Sequence, residues 1–295
     1  MFRKWVLLAM LVGSGHTLLA QDTIQFRDDD QFTKLVYNNV REDMKGGGVK
    51  GFRQLWAESV NVLPSQKVSV KYTQAKEKKP MTPVALAKQL HEQVFVIWKF
   101  FRKTETNIEG ISIAATAFPI NEDGTMVTNQ HVFEVLLKKT PEFYEMDSTL
   151  FLSDVNGNVF SIDKILSCDE NADLALFTIK NVHAVKIHPL ALGNDAPVGT
   201  PVYLLSHPEG FPYYFSSGQV ARNAKYGEFG AYTERMDITA DYAIGSSGGP
   251  IVNEFGALIG VVSSTHSIYG KQRQEMQMVV KQTIPVRSIY SIMTK

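Results

Sequence analysis

Cysteine is almost missing from this sequence: 295 residues contain one, Cys168, so no disulfide can form within the chain. It has no CxxC partner and no thiol-activating neighbours, and reads as a small buried hydrophobe. Net charge is missing too. Thirty Lys and Arg balance thirty Asp and Glu, which removes the main electrostatic reason to expect nucleic-acid binding. No apolar run approaches the ~20 residues that a membrane helix needs. There is no glycine-rich phosphate loop, and His91-Glu92 fails as a zinc helix because position 95 is Phe. His183, His188, His207 and His266 lack partners at metal spacing, so neither a metal nor another cofactor is expected. What remains is 44% hydrophobic and 20% charged, too apolar for a disordered chain and long enough for one large or two small domains.

The chain opens like an export signal. Arg3 and Lys4 precede the apolar run Trp5–Val12, and Leu18-Leu19-Ala20 then gives way to polar Gln21. Residues 1–20 are therefore expected to be a signal peptide cut after Ala20, with an uncleaved anchor as the rival. A disulfide-free exported protein fits a bacterial periplasm or exterior, without a membrane span once the signal is gone.

Residues 21–82 form a polar extension of unknown role. Short amphipathic helices are expected over 31–43 and 51–60, broken by Gly46-Gly47-Gly48, with a strand over 67–72 and a linker at KEKKPMTP. A packing or oligomerising role and a removable pro-segment both stay open, as does the oligomeric state. From residue 83 onward a helix over Pro83–Gln93 leads into the apolar run Val94–Trp98. Ten further short strands follow, between 111 and 264, many bounded by turns such as Asn156-Gly157, and a helix closes the chain over 285–293. Many short strands without helices between them predict an all-β sandwich or barrels.

Three stretches carry chemistry together, although each alone reads as ordinary structure. His131 ends the strand-like MVTNQHV, Asp173 heads the strand-like ADLAL, and Ser247 sits in the bend GSSGGP. A serine hydroxyl becomes a nucleophile when a base takes its proton during attack. Histidine suits that role because its unperturbed pKa lies at about 6.5, and a carboxylate can fix the imidazole tautomer and stabilise the imidazolium. Glycines beside the serine let backbone N–H groups converge on an oxyanion, here from Gly245 and Ser247.

The order His131, Asp173, Ser247 and the phrases TNQHV, ADLAL and GSSGGP resemble the chymotrypsin-fold, trypsin-like serine proteases, in particular the bacterial HtrA type. Chain order separates this triad from those of subtilisin and the α/β-hydrolases. The likeness spans about residues 83–295 and includes SHPEGFPYYFSSGQV and GALIGVVSS. It implies two antiparallel β-barrels with the site between them, His131 and Asp173 from the first and Ser247 from the second. The implied activity is a secreted endopeptidase acting through an acyl-enzyme on protein or peptide substrates. Forty-eight residues follow Ser247, so the PDZ domain usual in the HtrA type is not expected. Ala115-Thr116-Ala117-Phe118 lacks the family's usual glycine, and Ser246 replaces a common asparagine.

The resemblance also gives specificity residues. Asp241, six before the serine, falls at the base of the primary pocket, where a costly buried carboxylate would reward an Arg or Lys on the acyl side of the cut. The stretch ADYAIGSSGG also resembles flaviviral proteases that prefer basic residues. The rival is an Asp241 turned to solvent. Ser263, Ser264 and Thr265 are implied to pair with the substrate backbone, and Ser263 to support Asp173. A catalytically silent peptide-binding module and an esterase on the same scaffold remain as alternatives.

Overall fold

The computed structural model describes residues 24–294, apart from 64–65, 77–78, 104–105, 107, 140–147, 181–183, 227–233 and 271–274. The expected signal peptide and its cleavage after Ala20, with His183, lie outside the described residues.

Two closed six-stranded antiparallel barrels dominate. The first runs in the order β1 (Phe95–Lys103), β2 (Ile108–Pro119), β3 (Thr125–Thr128), β6 (Leu174–Lys180), β5 (Val159–Asp169) and β4 (Ser148–Ser153), which pairs back to β1. The second runs β10 (Pro250–Val252), β11 (Leu258–Tyr269), β12 (Met276–Pro285), β9 (Glu234–Ile238), β8 (Tyr214–Lys225) and β7 (Pro201–Ser206), closed by β7 against β10. The all-β, two-barrel architecture expected from the sequence is what forms. Closure removes the sheet edges that would otherwise invite pairing with other chains.

The apolar runs build the cores. Ile97, Phe95, Phe133, Phe160 and Phe177 fill the interior of the first barrel, and Val202, Leu204, Ile251 and Ile259 that of the second. A third cluster joins the barrels and carries Trp98, Phe118, Leu205, Val261 and Ile284. Cys168 is 5% exposed and burial pushes its thiol up to about 12, so it is an inert part of the first core.

The polar extension folds as helices on the first barrel. The first helix, α1 (Asp29–Lys45), is capped by the Asp28 side chain on the Gln31 N–H and buries Phe32, Val36 and Val40. The second, α2 (Phe52–Ser59), buries Phe52 and Leu55. These side chains belong to the same apolar clusters as the barrel strands. The Thr82 hydroxyl caps the third, α3 (Pro83–Gln93), where Pro83 occupies a position whose N–H needs no partner.

Three elements differ from the sequence reading. Residues 67–72 form no strand; Val68 makes a single parallel bridge to Met293. The closing helix shrinks to α5 (Arg287–Ser291). Strand β12 was not expected at all. Its first half and the end of β11 pair as a two-stranded ribbon with exposed Met276, Gln277 and Met278, and burial begins only at Thr283. Without a buried face there is no alternation to detect. Among the described residues no helix is long and apolar enough to cross a membrane.

Candidate active site

His131 lies on a single 3-10 turn, Gln130–Phe133, just after β3, and Asp173 closes the tight turn between β5 and β6. Ser247 lies in the bend that enters β10. The fold brings the three side chains into one line. Nδ1 of His131 is 2.9 Å from Oδ1 of Asp173, and Nε2 is 3.0 Å from Oγ of Ser247. Both are within hydrogen-bond reach of a nucleophile–base–orienter set.

The aspartate is held from several sides. Its backbone adopts φ 55°, a left-handed conformation uncommon outside glycine. The Asn129 amide donates to its carbonyl at 2.9 Å, and the backbone N–H of His131 donates to Oδ1 at 3.3 Å. The Ser263 hydroxyl of the second barrel donates to Oδ2 at 2.8 Å. This carboxylate raises the His131 pKa above 6.5, chiefly through its hydrogen bond and against the opposing effect of burial. The other histidine near the site behaves differently. His207 is fully buried, which drives its pKa down to about 3, and its Nδ1 accepts the Tyr213 N–H at 2.9 Å. It is neutral at working pH and serves the loop it sits in.

The serine turn requires its glycines. Gly245 has φ +92°, and a Cβ there would stand 2.4 Å from the His207 carbonyl oxygen; Gly248 has φ +80°, with a Cβ 2.2 Å from Thr128 Oγ1. Neither position accepts a side chain. Within the turn, the Ser246 N–H donates to Ala243, and the Gly249 N–H to Ser246. Among the described residues no group accepts from the N–H of Gly245 or Ser247, the two expected oxyanion donors. Thr116, on β2, ties this turn to the first barrel. Its N–H donates to the Ser247 carbonyl at 2.8 Å and its hydroxyl to the Gly245 carbonyl at 3.0 Å, while Thr128 bonds the Thr116 carbonyl. Sequence reasoning gave Thr116 no role, because a buried threonine inside an apolar strand carries no signal of its own.

Ser263, Ser264 and Thr265 follow the last β10 pairing, Pro250↔Val261, so from there β11 is strand-paired only to β12. Beside them opens a cavity of about 970 Å³ lined by Arg222, Arg235, Asp237, Asp241, Ser264 and Lys281 among others. Asp241 is on this wall, but the premise of a buried carboxylate is corrected: its side chain is 83% exposed, with Oδ1 3.6 Å from Lys281 Nζ. Lys281 is the less exposed member, at 13%, and also donates to the Tyr242 carbonyl at 2.5 Å. It lies on the unexpected strand β12, which is why the sequence gave no warning of it. No group of three or more His, Cys, Asp or Glu suited to a metal occurs among the described residues.

Residues 115–261 match the family model of the trypsin-like peptidase domain, a span that holds all three triad positions. The chain is 29% identical over 188 residues to "Protease Do-like 5, chloroplastic" of Arabidopsis thaliana, covering 62% of this chain and 55% of that one. It is 32% identical over 169 residues to "Serine protease HTRA1B" of Danio rerio, covering 55% and 33%, and 24% identical over 155 residues to "Probable periplasmic serine endoprotease DegP-like" of Rhizobium meliloti, covering 52% and 28%. The chain thus spans about half or less of each relative's length. Among solved structures, "HtrA-type protease AlgW with decapeptide" superposes with a TM-score of 0.55 at 16% identity, over 72% of this chain and 66% of that one, a likeness of fold.

The Thr116 bonds give a direct test of the geometry. Thr116→Val keeps the shape but leaves the buried Gly245 carbonyl without its donor, a loss of about 1–3 kcal/mol. Phosphonylation of Ser247 by a phosphonofluoridate should slow roughly tenfold, as expected for ~1.4 kcal/mol in the barrier. A rate within twofold of wild type would show that this bond does not shape the turn.

Proposed function

We propose that this chain, whose residues 115–261 match the trypsin-like peptidase domain, is a serine endopeptidase of the HtrA type working through His131, Asp173 and Ser247. One observation carries this reading: Nε2 of His131 reaches the Ser247 hydroxyl at 3.0 Å while Asp173 holds the opposite ring nitrogen at 2.9 Å. Ser247 Oγ attacks the scissile carbonyl and passes its proton to Nε2 of His131. The oxyanion is met by the N–H groups of Gly245 and Ser247, whose dipoles are already oriented and cost no reorganisation during the reaction. His131 then gives the proton to the leaving amine, and the acyl-enzyme remains. Water enters, His131 takes its proton, and as the second tetrahedral intermediate collapses His131 returns that proton to Oγ, freeing the acid and Ser247. Throughout, Asp173 keeps the proton of Nδ1 in place and stabilises the imidazolium.

Protein or peptide chains are the substrates, lying along the free edge of β11 at Ser263, Ser264 and Thr265. Asp241 favours Arg or Lys on the acyl side of the cut, but Lys281 competes for that carboxylate, so the preference is moderate. Export is proposed with it, on the strength of the expected leader and of a relative named as periplasmic.

Two measurements test this. A phosphonofluoridate probe should label wild type and leave Ser247→Ala unlabelled; a persistent label on another residue overturns the assignment. With matched peptides, the arginyl substrate should be cut several-fold faster than the leucyl one, and Lys281→Ala should widen that ratio by removing the competing cation, by an amount in the range of one partly exposed ion pair, about 0.2–1 kcal/mol. A leucyl preference in wild type removes Asp241 from the specificity account.

A further inference from the structure

The loop over residues 207–213, between β7 and β8, is strained. Glu209 and Tyr213, neither a glycine, have φ of 41° and 60°. Such conformations persist where surrounding structure over-determines them. The loop also touches the candidate oxyanion turn. The Glu209 N–H donates to the Ile244 carbonyl at 2.6 Å, and the His207 carbonyl lies so close to Gly245 that a Cβ there would be 2.4 Å away. Whatever holds this loop bears on the backbone that presents the Gly245 N–H.

What holds it comes from the N-terminal extension and from α3. The Arg27 guanidinium carbon lies 3.8 Å above the Phe32 ring and 4.5 Å above the Tyr213 ring. Phe32, on α1, meets Tyr213 edge-on at 6.0 Å; His91, on α3, stacks on Tyr213 at 5.5 Å; and His207 meets Tyr213 edge-on at 4.7 Å. The Tyr213 hydroxyl has no partner among the described residues, so the ring is what binds. Arg27 has one carboxylate neighbour, Asp29 at 3.3 Å, and its side chain is 29% exposed. A partly desolvated cation over two rings is a stronger contact than an exposed one. A cavity of about 370 Å³ shared by Thr33, Trp98, Glu209, Ile244 and Gly245 brings α1 to the edge of the same turn.

We propose that Arg27 is a positioning residue: clamped with Phe32 over Tyr213, it holds the 207–213 loop and through it the Gly245 N–H in line for the oxyanion. The proposal rests on the endopeptidase reading for its catalytic consequence. It also reverses the pro-segment alternative, since the extension then supports the site instead of blocking it.

The test uses the full chain with Arg27→Ala and Arg27→Lys, steady-state cleavage of one peptide, and amide hydrogen exchange followed by mass spectrometry. Arg27→Ala should lower kcat roughly ten- to hundredfold, the scale of a small misplacement of catalytic groups, with KM within twofold of wild type. Exchange should quicken in 207–213 and 244–248 while α1 and the first barrel keep their protection. Arg27→Lys, which retains a cation over the rings, should recover most of the rate. An unchanged kcat, or exchange that leaves the two segments as they were, overturns the clamp; exchange rising equally through α1 and the first barrel reduces Arg27 to a general structural role and overturns it too. A wild type that never forms an acyl-enzyme overturns the endopeptidase reading, which the exchange data separate from the clamp itself.

Discussion

Two hydrogen bonds from one residue, Thr116, fasten the Ser247 turn to the barrel that carries His131. His131 and Asp173 grow from the first barrel and Ser247 from the second, so their alignment depends on how the serine turn is fastened across the seam. The Thr116 N–H and hydroxyl take the carbonyls of Ser247 and Gly245, and Ser263 returns the connection by donating to Asp173. Each barrel thus supplies a support for the other's candidate catalytic side chain. Apolar contacts of Trp98, Phe118, Leu205 and Val261 bring the barrels together, and they are non-directional. The polar bonds add direction, which apolar packing alone does not specify.

Electrostatics sharpen what geometry sets up. The carboxylate raises the His131 pKa, making it a stronger base at the cost of a larger protonated fraction near neutrality. His207 shows the opposite treatment, buried and neutral, although it lies against the same turn. Two histidines near the Ser247 turn thus have opposite surroundings, which in the proposed mechanism leaves one to move protons and one to pack.

Much of this was legible in the sequence, and the reasons are specific. Closely spaced short strands with turn residues between them announce an all-β sandwich or barrels, the resemblance to trypsin-like proteases narrows this to two barrels, and the glycines of GSSGGP announce a turn whose N–H groups can converge. Strand β12 escaped because its outer half is a ribbon with no buried face. Lys281 escaped with it, since its approach to Asp241, in the loop after β9, is set by the fold and by no local pattern. The sequence leaves Asp241 open between a buried pocket base and a side chain turned to solvent, because its exposure depends on the path of a loop that local sequence does not fix. Thr116 and Tyr213 carry no motif; their importance comes from partners that only folding supplies. For residues 21–82 the polar composition leaves a packing role and a removable pro-segment both open, because burial of Phe32, Val36 and Leu55 is set by the barrel they meet and not by their own pattern.

The central claim is that one imidazole, oriented by Asp173, activates Ser247. It is tested most directly by the pH dependence of the pre-steady-state acylation burst, in wild type and in Asp173→Asn. Acylation should rise with pH along a single limb whose midpoint lies above 6.5, because the neutral imidazole is the base and its pKa is raised. Asp173→Asn should move that midpoint down and lower the plateau by about three to four orders of magnitude, as loss of the orienting carboxylate does in triads of this kind. A midpoint that stays where it was when Asp173 is neutralised would contradict the account.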